Sequence, residues 1–598
     1  MILKNNSSGK SNLEISFKGE GMNKFGVGAK AWLFSGGKIQ FQQLMLTRGF
    51  QSSCPAQLHF GTDSAATLDS ILIVWPDQKF QILKNIAAKG TLNVKQADAA
   101  GAFEYAKFFP PPPQMFEDIT KQIDLKWTHR ENFFWDFNKQ YLIPHMESTR
   151  GPKIAVADVN KDGLDDFFVC GASGQPGQLM IQTANGKFVS TDTTVFSKSW
   201  ESEEVDAVFF DANNDGYPDL YVVSGGNQLN DGDVRLADHF YLNNGKGHFV
   251  ESPAAIPLLL KNKSCVSAAD VNKDGKMDLF VGGLADAKQF GIPQTSYLLI
   301  NNGKGNFKIA DPSILKSDSL GIVTSSTFAD INNDGWPDLI VTGEWMPVKI
   351  FMNHNGKFSE TDIPHSSGLW QTIYAADVNG DGTLDLLAGN WGHNSKLYSG
   401  KNGPLKLYVK DFDKNGSVEQ VMAYTVDGNE YTFLCKDELE REMPVLKKAY
   451  LTYTEVAGKT VQYLFYDLFK DYLELKAETL GSACFINDGK GNFLKTDMPD
   501  EIQLSPVFSF TSLQKAGKQN FLASGNFYGV IPYEGEYDAL LPTIFSYNKN
   551  LQNFETTGNI PTVDGEIRDA KWINFAGGQK VLVLARNNNS LLFFKQNP

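Results

Sequence analysis

Cysteine is scarce and unpatterned in this chain of 598 residues: Cys54, Cys170, Cys265, Cys435 and Cys484 are five in number and irregularly spaced. An odd, scattered set of this kind excludes a zinc finger or a disulfide framework as the basis of the fold. Cys170 and Cys265 lie in or beside apolar strand-like runs and read as small core residues. No apolar run approaches the roughly 20 residues that span a bilayer, so no transmembrane helix is expected. Positive charge is also short: the formal net charge is -14, and no basic stripe with interleaved aromatics occurs, which leaves nucleic-acid binding without support. No G-x-S-x-G elbow, P-loop or H-E-x-x-H motif is present.

What the chain does have is a repeated acidic phrase, first written Asp158-Val-Asn-Lys-Asp-Gly-Leu-Asp-Asp166 and returning at Asp211, Asp270, Asp330 and Asp377. Side-chain oxygens stand at positions one, three, five and nine, a Gly at six, and the carbonyl of position seven adds a ligand. The five sets are Asp158, Asn160, Asp162, Leu164 and Asp166; Asp211, Asn213, Asp215, Tyr217 and Asp219; Asp270, Asn272, Asp274, Lys276 and Asp278; Asp330, Asn332, Asp334, Trp336 and Asp338; and Asp377, Asn379, Asp381, Thr383 and Asp385. Alternate oxygens converge on one hard cation only if the backbone turns sharply, and the Gly permits that turn. Calcium, which takes six to eight oxygens in flexible geometry, is the expected ion. An EF-hand is excluded, because position twelve is Val169, Val222, Val281, Val341 or Ala388 where a bidentate Glu is required. Ile-Ala-Val-Ala before Asp158 and Phe-Phe-Val-Cys after Asp166 are strand-like, so each loop joins two strands.

After several loops comes a second phrase that reads as strand, Gly turn and strand: Tyr241-Leu-Asn-Asn-Gly-Lys-Gly-His-Phe249, Leu299-Ile-Asn-Asn-Gly-Lys-Gly-Asn-Phe307 and Phe351-Met-Asn-His-Asn-Gly-Lys-Phe358. Loop and phrase together give four strands at the roughly 40 to 60 residue period of a propeller blade. These residues resemble the FG-GAP or VCBS repeats of integrin-α-like propellers, over roughly residues 115 to 598. The expected fold is all-β, a calcium-binding β-propeller. Inner strands starting near 154, 207, 266, 326 and 372, with degenerate units near 507 and 567, give seven blades, and eight is the alternative.

Toward the start, Gly26-Val-Gly-Ala-Lys30, Arg48-Gly-Phe-Gln-Ser-Ser53, Leu58-His-Phe-Gly61, Asp69-Ser-Ile-Leu-Ile-Val-Trp-Pro-Asp77 and Leu83-Lys-Asn85 resemble the ASPIC/UnbV domain. Without the family, the same stretch still reads as a small β domain over 1–95, in which His59 and Arg48 are a packed, hydrogen-bonded pair. Residues 96–114 are an Ala/Pro-rich linker ending in Pro110-Pro-Pro-Pro113, a stiff spacer. The propeller occupies 115–598, with residues 116 to 132 as a strand and polar loop that pair with the last blade and close the ring. No signal peptide opens the chain. In the family the ASPIC/UnbV domain commonly follows a run of repeats, so the chain is expected to be the C-terminal part of a longer exported bacterial protein, with signal peptide and a first propeller upstream. Its place is then extracellular or on the outer cell surface.

Residues 400–480 interrupt the fifth blade before its closing phrase Ile486-Asn-Asp-Gly-Lys-Gly-Asn-Phe493. The insertion carries a variant loop, Asp411, Asp413, Asn415, Ser417 and Glu419, with Gly416 at the turn. Beyond it Asp437 caps one helix and Pro444 opens another. The excursion is either a specificity element or a brace for the rim. Six loops with three acids each also account for the charge: six divalent ions would add 12 to -14, leaving about -2.

Structurally, each cation ties two strands together and neutralises carboxylates that would otherwise repel. For ligand contact, Trp345, Trp391, Trp370 and Tyr528 follow strands where propeller loops converge, and beside Asn390, His393 and Asn526 they suit stacking on sugars. The alternative for each is packing between blades. The function these residues imply, with the integrin-like resemblance, is a non-catalytic adhesion module engaging a glycan or a surface protein. Two other readings stand beside it: a polysaccharide lyase, for which His129, Arg130, Glu131 and His145 are the nominated polar group, and a scaffold subunit of a surface complex.

Overall fold

The computed structural model describes residues 11–63, 65–110, 114–398, 401–515, 517–531 and 534–597. The chain divides into two compact units after Gln114. In the first unit, Ser11–Lys18 is the centre of a three-stranded sheet, antiparallel to Gln57–Asp63 and parallel to Gly90–Lys95. A four-stranded sheet runs Lys38–Gln43, Lys30–Ser35, Thr67–Val74, Phe80–Ala87. Period-two patterning sends Leu13, Ile15 and Phe17 inward from the first strand. The same alternation corrects the reading of His59: it falls on the outward register of Gln57–Asp63, 3.8 Å from Glu14. Arg48 is exposed and bonds the Gln43 carbonyl, so the two are not a packed pair.

The 96–114 stretch is no free spacer in its first part. Phe103 and Phe109 pack on Trp32 with ring centroids 5.7 and 5.3 Å away, and Phe108 meets Phe80 at 4.8 Å. Its aromatics, which the Ala and Pro content obscures, have apolar surface to bury. Pro111, Pro112 and Pro113 of the expected spacer lie outside the described residues.

The second unit carries seven antiparallel sheets met in chain order, each four-stranded except the fourth, where Gly368–Leu369 adds a fifth strand beside Asp338–Met346. Their first strands are Ile154–Ala157, Glu203–Phe210, Lys263–Ala269, Ile322–Ala329, Thr372–Ala376, Val507–Lys515 and Ile567–Phe575. Second strands such as Asp219–Gly225 and Asp338–Met346 are buried along their whole length, which is why they read as continuous apolar runs. The core consists of layers between neighbouring sheets. Phe168, Val222 and Tyr241 join the first to the second, and Ile154, Phe167, Ile573 and Phe593 join the first to the last. Each first strand lies against the next, and the last lies against the first. The arrangement is propeller-like. Phe116–Asp118 adds the outer strand of the seventh sheet, pairing antiparallel with Leu592–Gln596.

The insertion forms its own four-stranded sheet, in which Leu405–Lys410 and Glu419–Val426 are joined by the variant loop, followed by four short helices between Lys436 and Phe465. The first of these begins at Lys436, not after Asp437: Cys435 is the N-cap, and its N–H donates to Glu438 Oε2 (2.8 Å). Pro444 opens the second helix as expected from its fixed φ.

Residues 119–153, of which only the part up to 132 was expected as a polar loop, run across the sheets. Their backbone and side chains bond Asn588, Gln228, Phe290, Gln371 and Gly529.

Candidate metal centres and ligand surface

Each regular loop is wired by its own backbone. In the first, Asp162 N–H donates to Asp158 Oδ1 (3.1 Å) and Asn160 Oδ1 (3.0 Å), Gly163 N–H to Asp158 Oδ2 (2.8 Å), and Leu164 N–H to Asp162 Oδ1 (2.9 Å). The same bonds recur from Asp211, Asp270, Asp330 and Asp377. Gly163 turns at φ +87°, as expected, and position four is left-handed too: Lys161, Asn214, Lys273, Asn333 and Lys414 have φ between +57° and +62°. That second strained position was not read from the sequence. From it the Lys161 and Lys273 ammonium groups sit 4.0 and 4.2 Å from the rings of Tyr217 and Trp336, in each case position seven of the next repeat.

Position nine differs from the exposed positions. Asp166 is fully buried; its Oδ2 accepts from Val159 N–H (3.1 Å) and its Oδ1 from Gln182 N–H (2.8 Å). Burial, reinforced by Asp162 and Asp158 and opposed by those bonds, raises its carboxyl to about 7. Asp278 is raised to about 7 and Asp219 and Asp338 to about 6, with Asp385 raised as well, burial leading in each. A row of enclosed carboxylates facing two more acids is short of positive charge, and an all-oxygen donor set suits a hard cation. The variant loop adds a sharper sign. Asp411, Asp413 and Glu419 bring one oxygen each within 4.8 Å of one another. Glu419 Oε2 accepts from Phe412 N–H (2.7 Å), while its buried Oε1 has no partner.

The second phrase of each repeat proves to be a stitch. Asn243 Nδ2 donates to Val159 O (2.8 Å) of the preceding loop and to Pro218 O (3.1 Å) of its own, and Asn301, Asn353 and Asn487 repeat the pattern.

The nominated sugar-stacking residues are turned inward. Trp345 is 3% exposed, Trp391 2% and Asn390 0%. Asn390 spends its carboxamide on Thr479 O and on the N–H groups of Leu369 and Trp391. Trp370 is buried and donates to Ser366 O, and Asn526 is held by Leu540 and Gly565. His393 and Tyr528 are half-buried, the former stacked on Tyr398 at 4.1 Å. A Gly-x-Trp phrase marks where a strand ends but not which way the ring points. Here the Trp345 and Trp391 rings fill the apolar cluster that also holds Phe290, Leu369 and Phe527, and Trp370 fills another with Ile350 and Phe485.

The nominated polar group separates as well. His129 is buried, with Nδ1 accepting from Asn588 N–H (3.3 Å), and burial pushes it down to about 3. Glu131 bonds Asn587, and enclosure of its carboxyl raises it to about 8. Arg130 is exposed. His145 lies apart from these, with Glu147, Arg150 and Glu344. Burial disfavours its charged form, but Glu344 and Glu147 outweigh that and raise it to about 9.

An open hollow of about 460 Å³ lies where the 119–153 segment meets the inserted helices, lined by Trp135, Phe137, Asn138, Tyr141, Glu438 and Arg441 among others. The Arg441 guanidinium sits 4.3 Å from the centre of the Tyr141 ring, and Trp135 is 40% exposed. The aromatic run Phe133-Phe-Trp-Asp-Phe-Asn-Lys-Gln-Tyr141 was the available signal for it.

A propeller-like repeat protein with acidic strand-joining loops is therefore the class that fold and site define. Residues 19–101 match the ASPIC and UnbV family, and residues 158–222, 211–281, 290–341 and 330–388 match the FG-GAP-like repeat, so the chain is an FG-GAP-like repeat protein with an N-terminal ASPIC and UnbV domain. No curated protein matches it. Among solved structures, the V. cholerae biofilm matrix protein Bap1 is similar at 12% identity over 79% of this chain and 91% of that one, with a TM-score of 0.31. A lectin of Agrocybe aegerita that recognises non-reducing terminal N-acetylglucosamine is similar at 15% identity over 74% and 90%, with a TM-score of 0.28. YCF48 bound to D1 peptide is similar at 8% identity over 79% and 100%, with a TM-score of 0.35. Among the described residues no helix is long and apolar enough to cross a membrane.

Proposed function

We propose that this chain is a non-catalytic binding or adhesion module of the extracellular space or outer cell surface. Its second unit is a seven-bladed propeller, its five regular loops and the variant loop hold calcium, and its ligand is a glycan. The unpartnered Glu419 oxygen and the enclosed position-nine carboxylates support the cation. The return of the inter-sheet layers to their starting point supports the blade count.

The observation that carries the glycan reading is the hollow at Trp135, Tyr141 and Arg441. Flat rings offer apolar faces to a sugar, and Asn138, Glu438 and Arg441 supply donors and acceptors at the edge. A lyase would need its base and a charge-neutralising group in one open cleft, and the enclosure of His129 and His145 weighs against that pair.

The test is a polysaccharide panel with and without calcium, recording retention of the protein and release of new sugar ends. The expected result is calcium-dependent retention without cleavage, weakened by about 1 to 2 kcal/mol or more, roughly tenfold, in W135A and Y141A. Cleavage would make the chain an enzyme. Failure to retain any glycan would turn the reading to a protein partner, and undiminished retention by both variants would remove the hollow as the site.

A further inference from the structure

We propose that His145, Glu147 and Glu344 bind one divalent transition-metal ion in the interior of the second unit, at a site chemically distinct from the calcium loops. His145 and Glu147 come from the 119–153 segment, and Glu344 comes from the strand Asp338–Met346, just before Trp345, whose backbone is left-handed at φ +59°. All three residues are 1% exposed. One ligand atom of each lies within 4.8 Å of the others.

The hydrogen bonds around the cluster leave those atoms free. Arg150 takes one oxygen from each carboxylate, Glu147 Oε2 and Glu344 Oε1. His145 Nδ1 lies 3.2 Å from Met146 O, and donation there directs the ring's lone pair to Nε2. What remains is Glu147 Oε1, Glu344 Oε2 and His145 Nε2, each buried and without a hydrogen-bond partner. His145 Nδ1 also lies 3.5 Å from Glu147 Oε1, so a protonated imidazole pairs with both carboxylates; Nε2 and Glu344 Oε2 are 3.0 Å apart. That is the separation of neighbouring ligands on one ion with bonds of about 2.0 to 2.2 Å. Trp391 stacks on the imidazole at 4.6 Å and Phe527 meets it at 5.7 Å, giving the site an apolar shell.

Two carboxylates and one guanidinium leave room for one more positive charge, which a bound ion would supply in place of the proton on His145. One imidazole with two carboxylates suits Zn²⁺, Mn²⁺ or Fe²⁺; calcium, which prefers six or more oxygens, does not fit.

The experiment uses the untagged full chain in millimolar calcium, which keeps the loops filled, with a small excess of Co²⁺ as probe. After desalting, bound cobalt is measured and its ligand shell is read by X-ray absorption. About one cobalt per chain with an imidazole nitrogen in the shell is expected, falling roughly tenfold or more in H145Q and E344Q and unchanged in D413N. The proposal is overturned if the wild type retains almost no cobalt, if its shell contains only oxygen, or if H145Q retains as much as the wild type. Circular dichroism of each variant separates lost binding from lost folding, and the imidazole signature of the wild type does not depend on any variant folding.

Discussion

Glu131 and His129 show how enclosure decides a side chain's charge. They lie two residues apart on the same segment, and burial holds both in their neutral forms, one carboxyl raised to about 8 and one imidazole lowered to about 3. The consequences for stability have opposite sign. Between the ordinary carboxyl value and about pH 8, native Glu131 keeps a proton that the unfolded chain has released, so its contribution falls as pH rises, by about 1.4 kcal/mol per pH unit. His129 does the reverse below its ordinary value: the unfolded chain gains a proton that the native state refuses, and stability is lost as pH falls toward 3. E131Q keeps the hydrogen bond to Asn587 and removes the titration. In urea unfolding at saturating calcium, E131Q should therefore gain about 2 kcal/mol relative to wild type between pH 5.5 and pH 7.5. His129, present in both proteins, cancels. Parallel stability curves for the two would show that the Glu131 carboxyl is not enclosed.

At the scale of the element, the loop and the turn that follows it work as one joint between neighbouring sheets. Asn353 Nδ2 donates to Val271 O (2.8 Å) and Pro337 O (3.1 Å), and its Oδ1 accepts from Gly356 N–H (2.9 Å). Replacing it with Ala strands these groups in a fully buried place, at a cost of about 2 to 3 kcal/mol. Asn306, also in a turn phrase but exposed, donates from its side chain to Lys304 O within its own turn, so N306A should change the unfolding free energy by about 0.5 kcal/mol or less. Equal effects of the two substitutions in chemical denaturation would refute the joint.

The acids, the Gly and the period of the loops were legible in the sequence because each loop is built within nine residues. The partner of Asn353 was not, since Val271 belongs to another repeat 82 residues away. The inward turn of Trp391 was hidden for a similar reason: it depends on His145 and Phe527, distant in the chain. The 119–153 segment was hardest to read, because its structure comes from the sheets it crosses rather than from any periodicity of its own.

At the scale of the second unit, the question is what keeps a ring of separate sheets from fraying. Phe116–Asp118, from the start of the unit, completes the seventh sheet by pairing with Leu592–Gln596, in the register Phe116 to Gln596, Glu117 to Lys595 and Asp118 to Phe594. Phe116 is buried against Phe594 and Trp572, at ring distances of 6.5 and 6.2 Å, inside the layer between the sixth and seventh sheets. F116A should cost about 3 to 5 kcal/mol, the usual range for emptying a buried Phe site. Where the cost appears is the informative part. A ring closed by this strand loses stability as a whole, so hydrogen exchange should accelerate in Ile154–Ala157 of the first sheet as well as in Ile567–Phe575 of the seventh. The first unit, with its own core around Ile15, Phe60 and Trp75, should keep its protection unchanged. Faster exchange confined to the seventh sheet would mean that Phe116–Asp118 is an appended strand and that the ring is held by its inner layers alone.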